Sequence, residues 1–197
     1  MVMQLVDLAQ PSFWAAVASI AFNPTMWNIV ARREHRTRFL TRLAGSNHNA
    51  SYVLAFVIFT LGLLRDYLYA AALEHQPQLD VLSALPVQAA ALVLFGLGNV
   101  LVLSSMWRLG VTGTYLGDYC GILMEERVTA FPFNTMENPM YTGSIMCFIA
   151  TALWKQSPAG LVISVWVWIV YQAALAYEGP FTGQIYAERD AKRAKKQ

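Results

Sequence analysis

The chain has 197 residues, of which 56% are hydrophobic and only 13% are charged, and its mean hydropathy is +0.40. Soluble domains carry about 25% charged residues, and so short a chain has too little interior to bury several long apolar segments. The composition therefore excludes an ordinary soluble domain and indicates an integral membrane protein.

Four segments without Asp, Glu, Lys or Arg follow one another along the chain, at residues 12–31, 50–64, 86–107 and 156–177. Three of them reach the roughly 20 residues that a helix needs to cross about 30 Å of hydrocarbon. The first segment contains Pro24, which removes a backbone donor and kinks or ends a helix. This segment could therefore enter the membrane without crossing it.

A further uncharged run, residues 138–154, is followed by a turn at 155–160, and with residues 161–177 it could form a helical hairpin. No alternation typical of a β-barrel is present, so the backbone polar groups must be satisfied within helices. We therefore predict one all-α domain over residues 1–197. It is a polytopic helical membrane protein with four to five membrane helices, including candidate re-entrant or hairpin segments, and with a basic C-terminal tail over residues 188–197.

Basic residues are concentrated in two clusters that flank apolar segments. The first contains Arg32, Arg33, Arg36, Arg38 and Arg42, and the second contains Arg189, Lys192, Arg193, Lys195 and Lys196. Anionic lipid attracts such clusters to the cytoplasmic surface of a membrane, and an even number of crossings between them would place both there. Nucleic acid is the competing partner, but neither cluster belongs to a soluble basic fold, so none is expected.

Several common kinds of functional site are not predicted, because the sequence lacks the residues that they require. Cys120 and Cys147 are too few for a disulfide framework, and no Lys or Arg precedes the first apolar segment, so no cleaved secretory signal is expected. The three histidines, His35, His48 and His75, lack metal-ligand spacing. No Walker loop or Gly-x-Ser-x-Gly elbow occurs. We therefore expect no metal and no nucleotide hydrolysis.

Gly96, Leu97 and Gly98 form a Gly-x-Gly inside the third charge-free segment. Small residues let membrane helices approach closely, so helix packing is one interpretation. A place where the backbone meets a ligand is the other. The pattern alone favours packing.

Carboxylates, glycines and aromatic rings are mixed in the segment that follows the third span, with Asp118 between Tyr115 and Tyr119. Aromatic faces and carboxylates together attract an ammonium or sulfonium cation, although an interfacial aromatic belt has the same composition. Glu34 and His35, in the first basic cluster, are either surface residues or acid–base groups, because imidazole titrates near physiological pH. The composition permits a cation site without proving one.

Glu178 stands at the end of the last span and is followed by Gly179. It is either a carboxylate that reaches the membrane interface or a ligand-binding group, since carboxylates beside membrane helices are often functional. A ribose, an amino group or a substrate cation would suit it.

Seven motifs resemble those of the phosphatidylethanolamine N-methyltransferase family, and among its members the fungal enzymes that add the later methyl groups. They lie at residues 23–32, 96–98, 101–105, 113–119, 131–134, 138–141 and 180–182, so the resemblance spans nearly the whole chain. It implies a small helical protein of the endoplasmic reticulum membrane, with a mitochondria-associated membrane as a second location. It also implies S-adenosylmethionine as methyl donor and phosphatidylcholine as the product made from phosphatidylethanolamine derivatives.

The resemblance also implies cofactor-binding residues. In that family the Gly-x-Gly within a span and a Glu-Glu pair after the last span are associated with the cofactor. They correspond here to Gly96, Leu97 and Gly98 and to Glu178 with Gly179, so the second glutamate is missing. Asn138 and Tyr141 belong to a variant of a Pro-x-Tyr segment shared with isoprenylcysteine carboxyl methyltransferases, which makes them secondary candidates.

Methylation of a lipid amine requires a neutral nitrogen. With a pKa near 10, only about one amine in a thousand is neutral at pH 7, so the enzyme must accept a proton or desolvate the ammonium. The candidate acceptors are Glu178, Asp118, Glu34 and His35, and Tyr115 and Tyr119 are candidates for the headgroup site. The alternatives are carboxyl methylation of prenylated proteins and a non-catalytic membrane transporter or scaffold.

Overall fold

A computed structural model describes residues 5–195, so Lys196 of the second basic cluster lies outside the described part. Within this range the chain forms six α-helices and no strand. They are α1 (Pro11–Thr37), α2 (Phe39–Ala44), α3 (Asn47–Glu74), α4 (Leu85–Thr114), α5 (Pro139–Trp154) and α6 (Pro158–Ala194), with a 3₁₀ turn at Asp80–Ser83. The predicted all-α class is confirmed.

Three of the helices, α3, α4 and α6, are long and apolar enough to cross a membrane. Large apolar side chains on their outer surfaces are exposed, among them Phe56, Leu92, Val100 and Trp168. Because exposed apolar surface on this scale is rare in soluble proteins, these surfaces face lipid. The structure is therefore that of a polytopic helical membrane protein.

Pro24 does not end the first helix, since α1 runs without a break from Pro11 to Thr37. The helix is held there by its neighbours: Pro24 is buried, and the Asn23 side-chain amide donates to the Leu61 carbonyl of α3 at 3.0 Å. Of the kink or end expected at this proline, the end does not occur, because tertiary packing outweighs the missing backbone donor.

Helices α4 and α5 approach each other most closely where two glycines meet. A Cβ added to Gly98 would lie 2.6 Å from the Gly143 carbonyl oxygen, and a Cβ on Gly143 would lie 2.5 Å from the Gly98 carbonyl oxygen. Any larger residue would force the helices apart, which is how small residues act in membrane helix packing. Further along, Gly110 leaves the helical conformation with φ +63°, so the last turn of α4 is redirected.

Two apolar clusters form the interior. The first joins α1, α3, α5 and α6 through residues that include Phe13, Tyr69 and Ile163. The second joins the C-terminal half of α1, the start of α3, the segment after α4 and the end of α6, through Leu54, Tyr119 and Ile185. This second cluster lies between the two cavities described below, since Leu116, which packs against it, lines one of them and its member Ile185 lines the other.

Candidate active site

Glu178 of α6 is held by three side-chain donors from two other helices. Its Oε1 accepts from the Trp27 indole nitrogen at 2.6 Å and from the Asn28 amide at 3.0 Å, and its Oε2 accepts from the Tyr141 hydroxyl at 2.7 Å. Hydrogen bonds to a carboxylate are charge-assisted and strong, and a carboxylate offers about four acceptor positions. The three donors therefore fix both oxygens and leave acceptor capacity for a ligand.

Beside Glu178 a cavity of about 390 Å³ extends between α3 and α4. Its polar end is lined by Glu178, Asn138, Tyr141, Tyr115 and Trp27, and its lower wall includes Val102 and Met106 of α4. Aromatic rings with a carboxylate form a site suited to a cation. The volume lies within the range of about 300–1,000 Å³ that small-molecule sites occupy.

The cavity opens sideways toward the apolar surroundings of the bundle. Phe59 and Leu63 of α3 line the cavity and are also exposed on the outer surface of the helix. Helices α3 and α4 make few contacts with each other, in contrast to the close pairing of α4 with α5. A molecule in the bilayer could therefore enter between α3 and α4.

Arg65 brings a positive charge into the same cavity from the apolar part of α3. Its side chain is 13% exposed, its Nη1 donates to the Tyr171 hydroxyl at 2.5 Å, and its Nε and Nη2 donate to Asp66 at 2.9 and 2.8 Å. Its guanidinium also lies 5.1 Å from the centre of the Phe148 ring. A charge within a membrane helix is costly and is therefore a strong indication of function.

Part of the Arg65 guanidinium is available to bind a ligand. An arginine has five N–H groups, and within residues 5–195 the guanidinium makes three hydrogen bonds. One N–H on each terminal nitrogen is thus without a partner in that range. Tyr171, which accepts a hydrogen bond from Arg65, precedes Glu178 by seven residues on α6, about 10 Å along the helix. The cavity therefore offers an anion-binding group and a cation-binding group roughly two helical turns apart.

Some predicted residues come together here. Glu178, Asn138, Tyr141 and Tyr115 all line the cavity, although they come from α6, the start of α5 and the segment after α4. Burial raises the pKa of the Tyr115 hydroxyl, so this hydroxyl is protonated at neutral pH. Their assignment to cofactor or headgroup stays a prediction.

The predicted Gly-x-Gly lies elsewhere. Gly96 and Leu97 are exposed on the outer surface of α4, Gly98 packs against Gly143, and none of the three lines the cavity. Gly179 is exposed, with open space where a side chain would be. The structure thus gives Gly98 a packing contact, and cofactor binding by these four residues stays a prediction.

Glu34 and Tyr119 are buried away from the cavity. The Glu34 carboxylate accepts from the Leu40 amide at 2.6 Å and from the Thr41 hydroxyl at 2.6 Å, so it caps the first turn of α2. The Tyr119 ring is fully buried and stacks on Phe181 with ring centres 5.1 Å apart, and burial raises its pKa to about 12. The cavity beside Glu178 touches neither residue.

Asp118 and His35 line a second cavity, of about 330 Å³, on the other side of the second apolar cluster. Burial raises the pKa of the Asp118 carboxyl to about 6, and the negative charge of Glu178 adds to the rise. Among the four candidate proton acceptors, Glu178 alone lines the first cavity.

Sequence reasoning missed Trp27, Asn28, Arg65 and Asp66. The first two lie in the family motif at residues 23–32, where no role was assigned to them, and the last two were not named as site residues. The available signal was Arg65 itself, a charge that follows directly on 15 uncharged residues, 50–64. No comparable signal marks Trp27, which reaches Glu178 across 151 positions of sequence.

The chain matches the family model described as phospholipid methyltransferase over residues 87–189. Phosphatidylethanolamine N-methyltransferase A of Dictyostelium discoideum is 51% identical over 194 residues, which cover 98% of this chain and 91% of the relative. Phosphatidyl-N-methylethanolamine N-methyltransferase of Neurospora crassa is 55% identical over 191 residues, which cover 96% and 89%. Human phosphatidylethanolamine N-methyltransferase is 48% identical over 184 residues, which cover 93% and 92%. No solved structure matches the chain.

The chain therefore belongs to the phospholipid methyltransferase family, and the predicted resemblance is confirmed. Membership makes it a membrane enzyme that transfers methyl groups. The donors Trp27 and Asn28 lie outside the matched range 87–189, but the full-length relatives align with that part of the chain as well.

Proposed function

We propose that the protein methylates the amine of phosphatidylethanolamine and of its monomethyl and dimethyl derivatives, with S-adenosylmethionine as donor, to give phosphatidylcholine. The observation that carries the proposal is the pairing of a clamped carboxylate, Glu178, with a partly free guanidinium, Arg65, in a cavity that opens toward lipid. That arrangement is complementary to a zwitterionic headgroup together with a cationic donor. The endoplasmic reticulum membrane is the proposed location.

The residues around Glu178 fit a sulfonium cofactor. The carboxylate retains acceptor capacity, and the rings of Trp27, Tyr115 and Tyr141 line the cavity with it. A sulfonium ion is attracted by carboxylates and by aromatic faces alike. When bound, S-adenosylmethionine would supply a methyl group made electrophilic by its positively charged sulfur.

Arg65 is the group best placed to hold the lipid phosphate. Its two N–H groups that lack partners within residues 5–195 match the fork geometry in which arginine binds a phosphate. The acyl chains would then leave the cavity past Phe59 and Leu63. In this orientation the amine of the headgroup lies on the Glu178 side of the phosphate, away from the acyl chains.

Glu178 is also the proposed proton acceptor, since it alone of the four candidates lines the cavity. A carboxylate beside the ammonium lowers the cost of bringing the headgroup out of water and can take its proton before the nitrogen reacts. Holding the nitrogen and the methyl carbon about 3 to 3.5 Å apart would supply much of the acceleration. The donors Trp27, Asn28 and Tyr141 fix the position of the carboxylate.

Methyl transfer in liposomes tests the proposal. Purified protein receives labelled S-adenosylmethionine and lipids whose headgroup carries zero, one or two methyl groups, with a prenylcysteine peptide as a parallel acceptor. We expect label in the lipid fraction and none in the peptide. Glu74→Gln, an exposed carboxylate at the far end of α3, is the matched control for Glu178→Gln. Label in the peptide alone, or no S-adenosylmethionine binding at all, would contradict the proposal.

A further inference from the structure

The second cavity is a separate site built by three parts of the chain. The C-terminal end of α1, the segment after α4 and the C-terminal end of α6 enclose about 330 Å³. It shares no lining residue with the cavity beside Glu178, to which the proposed function assigns the methyl donor and the acceptor.

The two basic clusters of the sequence converge on this cavity. Arg38 comes from the first cluster, and Arg189, Lys192 and Arg193 come from the second, about 150 positions later. These four cations, from both clusters, therefore surround one cavity. Arg189 is already engaged, because it pairs with Asp190 at 2.7 Å and donates to the Met124 carbonyl.

The other three cations are available. Within residues 5–195, Arg38, Lys192 and Arg193 take part in no ion pair. The Arg38 guanidinium makes one long hydrogen bond, 3.5 Å from Nη1 to the Tyr119 carbonyl oxygen. Gly121 leaves room for it: the residue has φ +88°, and a Cβ there would lie 3.1 Å from Arg38 Nη1. The backbone is thus shaped to let the guanidinium reach the cavity.

The opposing charges in the cavity are weaker. Its two carboxylates belong to Asp118 and Glu188. Burial raises the pKa of Asp118 to about 6, so this carboxyl is neutralised only at mildly acidic pH, and Glu188 accepts a hydrogen bond from the Gln184 amide at 2.9 Å. The four cations that line the cavity outnumber these two carboxylates. His35 also lines the cavity, and its Nδ1 is buried without a hydrogen-bond partner in the described range. A ligand oxygen or an ordered water would satisfy such an atom.

We propose that this basic cavity binds a phosphate monoester, a dianionic group, at a site distinct from the methyl-transfer cavity. Guanidinium and ammonium groups bind phosphate through charge-assisted hydrogen bonds, and basic pockets between membrane helices bind anionic headgroups. The cations outnumber the carboxylates, so a dianion binds better than a zwitterion, whose own ammonium is repelled. The phosphate is carried either by a lipid such as phosphatidic acid or by a small soluble ester.

Native mass spectrometry of the purified full-length protein tests the site, with phosphatidic acid in one arm and glycerol 3-phosphate in the other. The triple variant R38Q/K192Q/R193Q removes the available cations. The matched control R33Q/R36Q/R42Q removes the same charge from three exposed arginines of the same face that do not line the cavity. We expect the first variant to bind about tenfold or more weakly and the control to bind within about threefold of the wild type.

Each outcome decides the proposal. Equal losses in the two triple variants, or no loss in either, overturn it, because binding would then reflect diffuse attraction to the face. Selective loss with phosphatidic acid alone assigns the site to a lipid headgroup, and selective loss with glycerol 3-phosphate as well assigns it to phosphate monoesters in general. K192Q alone, on the exposed end of α6, guards against misfolding and should weaken binding about threefold.

Discussion

Two cavities of similar size lie on either side of one apolar cluster, and their chemistry is opposite. The cavity of about 390 Å³ holds the clamped Glu178, aromatic rings and one arginine, whereas the cavity of about 330 Å³ is dominated by cations. The segment after α4 serves both: Tyr115 and Leu116 line the first, and Asp118 and Gly121 line the second. Neighbours in sequence therefore have different ligand environments, and residues of this segment cannot be assigned to one site as a block.

The arginines of the two cavities also differ in how their positive charge is stabilised. Arg65, in the apolar part of the bundle, is paired with Asp66, bonded to Tyr171 and placed over Phe148, as a charge in low dielectric must be. Arg38, at the basic face, makes only one long hydrogen bond, of 3.5 Å, to the residues that the structure describes. The contrast indicates that the first cavity stabilises its charge in advance for a precise ligand geometry, and that the second attracts a ligand by net charge.

The largest effect that separates the cavities should come from Glu178→Gln. The amide cannot accept from all three donors as the carboxylate does, and it has no charge to offer a sulfonium or an ammonium. We expect kcat/KM for methyl transfer to fall about 100-fold or more, while Glu74→Gln stays within about threefold of the wild type. Retention of phosphatidic acid at the basic cavity should not change. Near-normal transfer by Glu178→Gln would remove this residue from the mechanism.

Arg65→Gln should change substrate discrimination more than overall chemistry. Charged hydrogen bonds contribute about 1.5–3 kcal/mol, so the wild type should prefer a phosphodiester lipid over an uncharged phosphotriester analogue by roughly 10- to 100-fold. The variant should lose that preference, while its affinity for S-adenosylhomocysteine stays unchanged. Arg127→Gln, in the exposed segment before α5, serves as the control. If the variant instead lost cofactor affinity and kept the preference, Arg65 would bind the cofactor carboxylate.

Two substitutions on α4, Gly98→Ala and Gly96→Ala, distinguish a packing role of the Gly-x-Gly from a ligand-binding role. The methyl group at Gly98 meets the Gly143 carbonyl, so we expect destabilisation of about 1–3 kcal/mol, seen as a lower melting temperature in detergent. At Gly96 the space is open, and stability should be unchanged. Loss of S-adenosylhomocysteine binding by a stably folded Gly96→Ala variant would support the cofactor prediction for this motif, and retained binding would count against it.

The membrane helices were predictable because an uncharged run of about 20 residues has one stable form in hydrocarbon, a helix with its backbone bonds satisfied internally. The confirmed all-α class follows from that constraint, and so do the spanning helices α4 and α6. The run at 12–31 also has 20 uncharged residues, but it lies in α1, and the third candidate span of the described chain is α3, whose uncharged run at 50–64 has only 15 residues. Pro24 shows the limit of the same reasoning. A local rule predicts a kink or an end of the helix there, but the helix continues, because the proline is buried and the Asn23 side chain bonds to Leu61 of α3.

The candidate site was predictable only in part, because it is assembled by contacts that sequence spacing does not encode. Glu178 was found from its position at the end of the last span, and the family resemblance added Tyr141 and Asn138. Trp27 lies 151 positions from Glu178 and Tyr171 lies 106 positions from Arg65, so nothing local reveals these two contacts. Glu34 makes a capping contact in the fold, and its acid–base role stays a prediction.

Trp27→Phe tests whether α1 completes the first cavity. Phenylalanine keeps an aromatic ring but lacks the indole N–H. That N–H donates to Glu178 at 2.6 Å, the shortest of the three hydrogen bonds to this carboxylate. One hydrogen bond to a charged group contributes about 1.5 kcal/mol, which corresponds to roughly a tenfold rise in the KM for S-adenosylmethionine. Trp154→Phe changes an exposed tryptophan at the end of α5 and should have no effect. An unchanged KM in Trp27→Phe would show that two donors suffice.

The smallest expected effect belongs to the second cavity and depends on pH. Burial holds the pKa of Asp118 near 6, above its ordinary value of 3.8, so between about pH 4 and 6 the folded protein binds more protons than the unfolded chain. Folding stability contributed by this group is therefore present at low pH and is lost as the pH rises through 6. Asp118→Asn cannot ionise, so it should melt about 2–4 °C above the wild type at pH 7.5 and level with it near pH 4.

The charged groups that face Asp118 define how this measurement must be made. They are His35, Arg38, Glu178, Glu188, Arg189, Lys192 and Arg193. Because several ionisable groups surround Asp118, the difference between variant and wild type at each pH isolates Asp118, whereas either profile alone does not. A difference that stays constant from pH 4 to 7.5 would mean that Asp118 ionises normally in the folded protein. The basic cavity would then carry the full opposing charge of Asp118 between about pH 4 and 6 as well, which would weaken its attraction for an anion in that range.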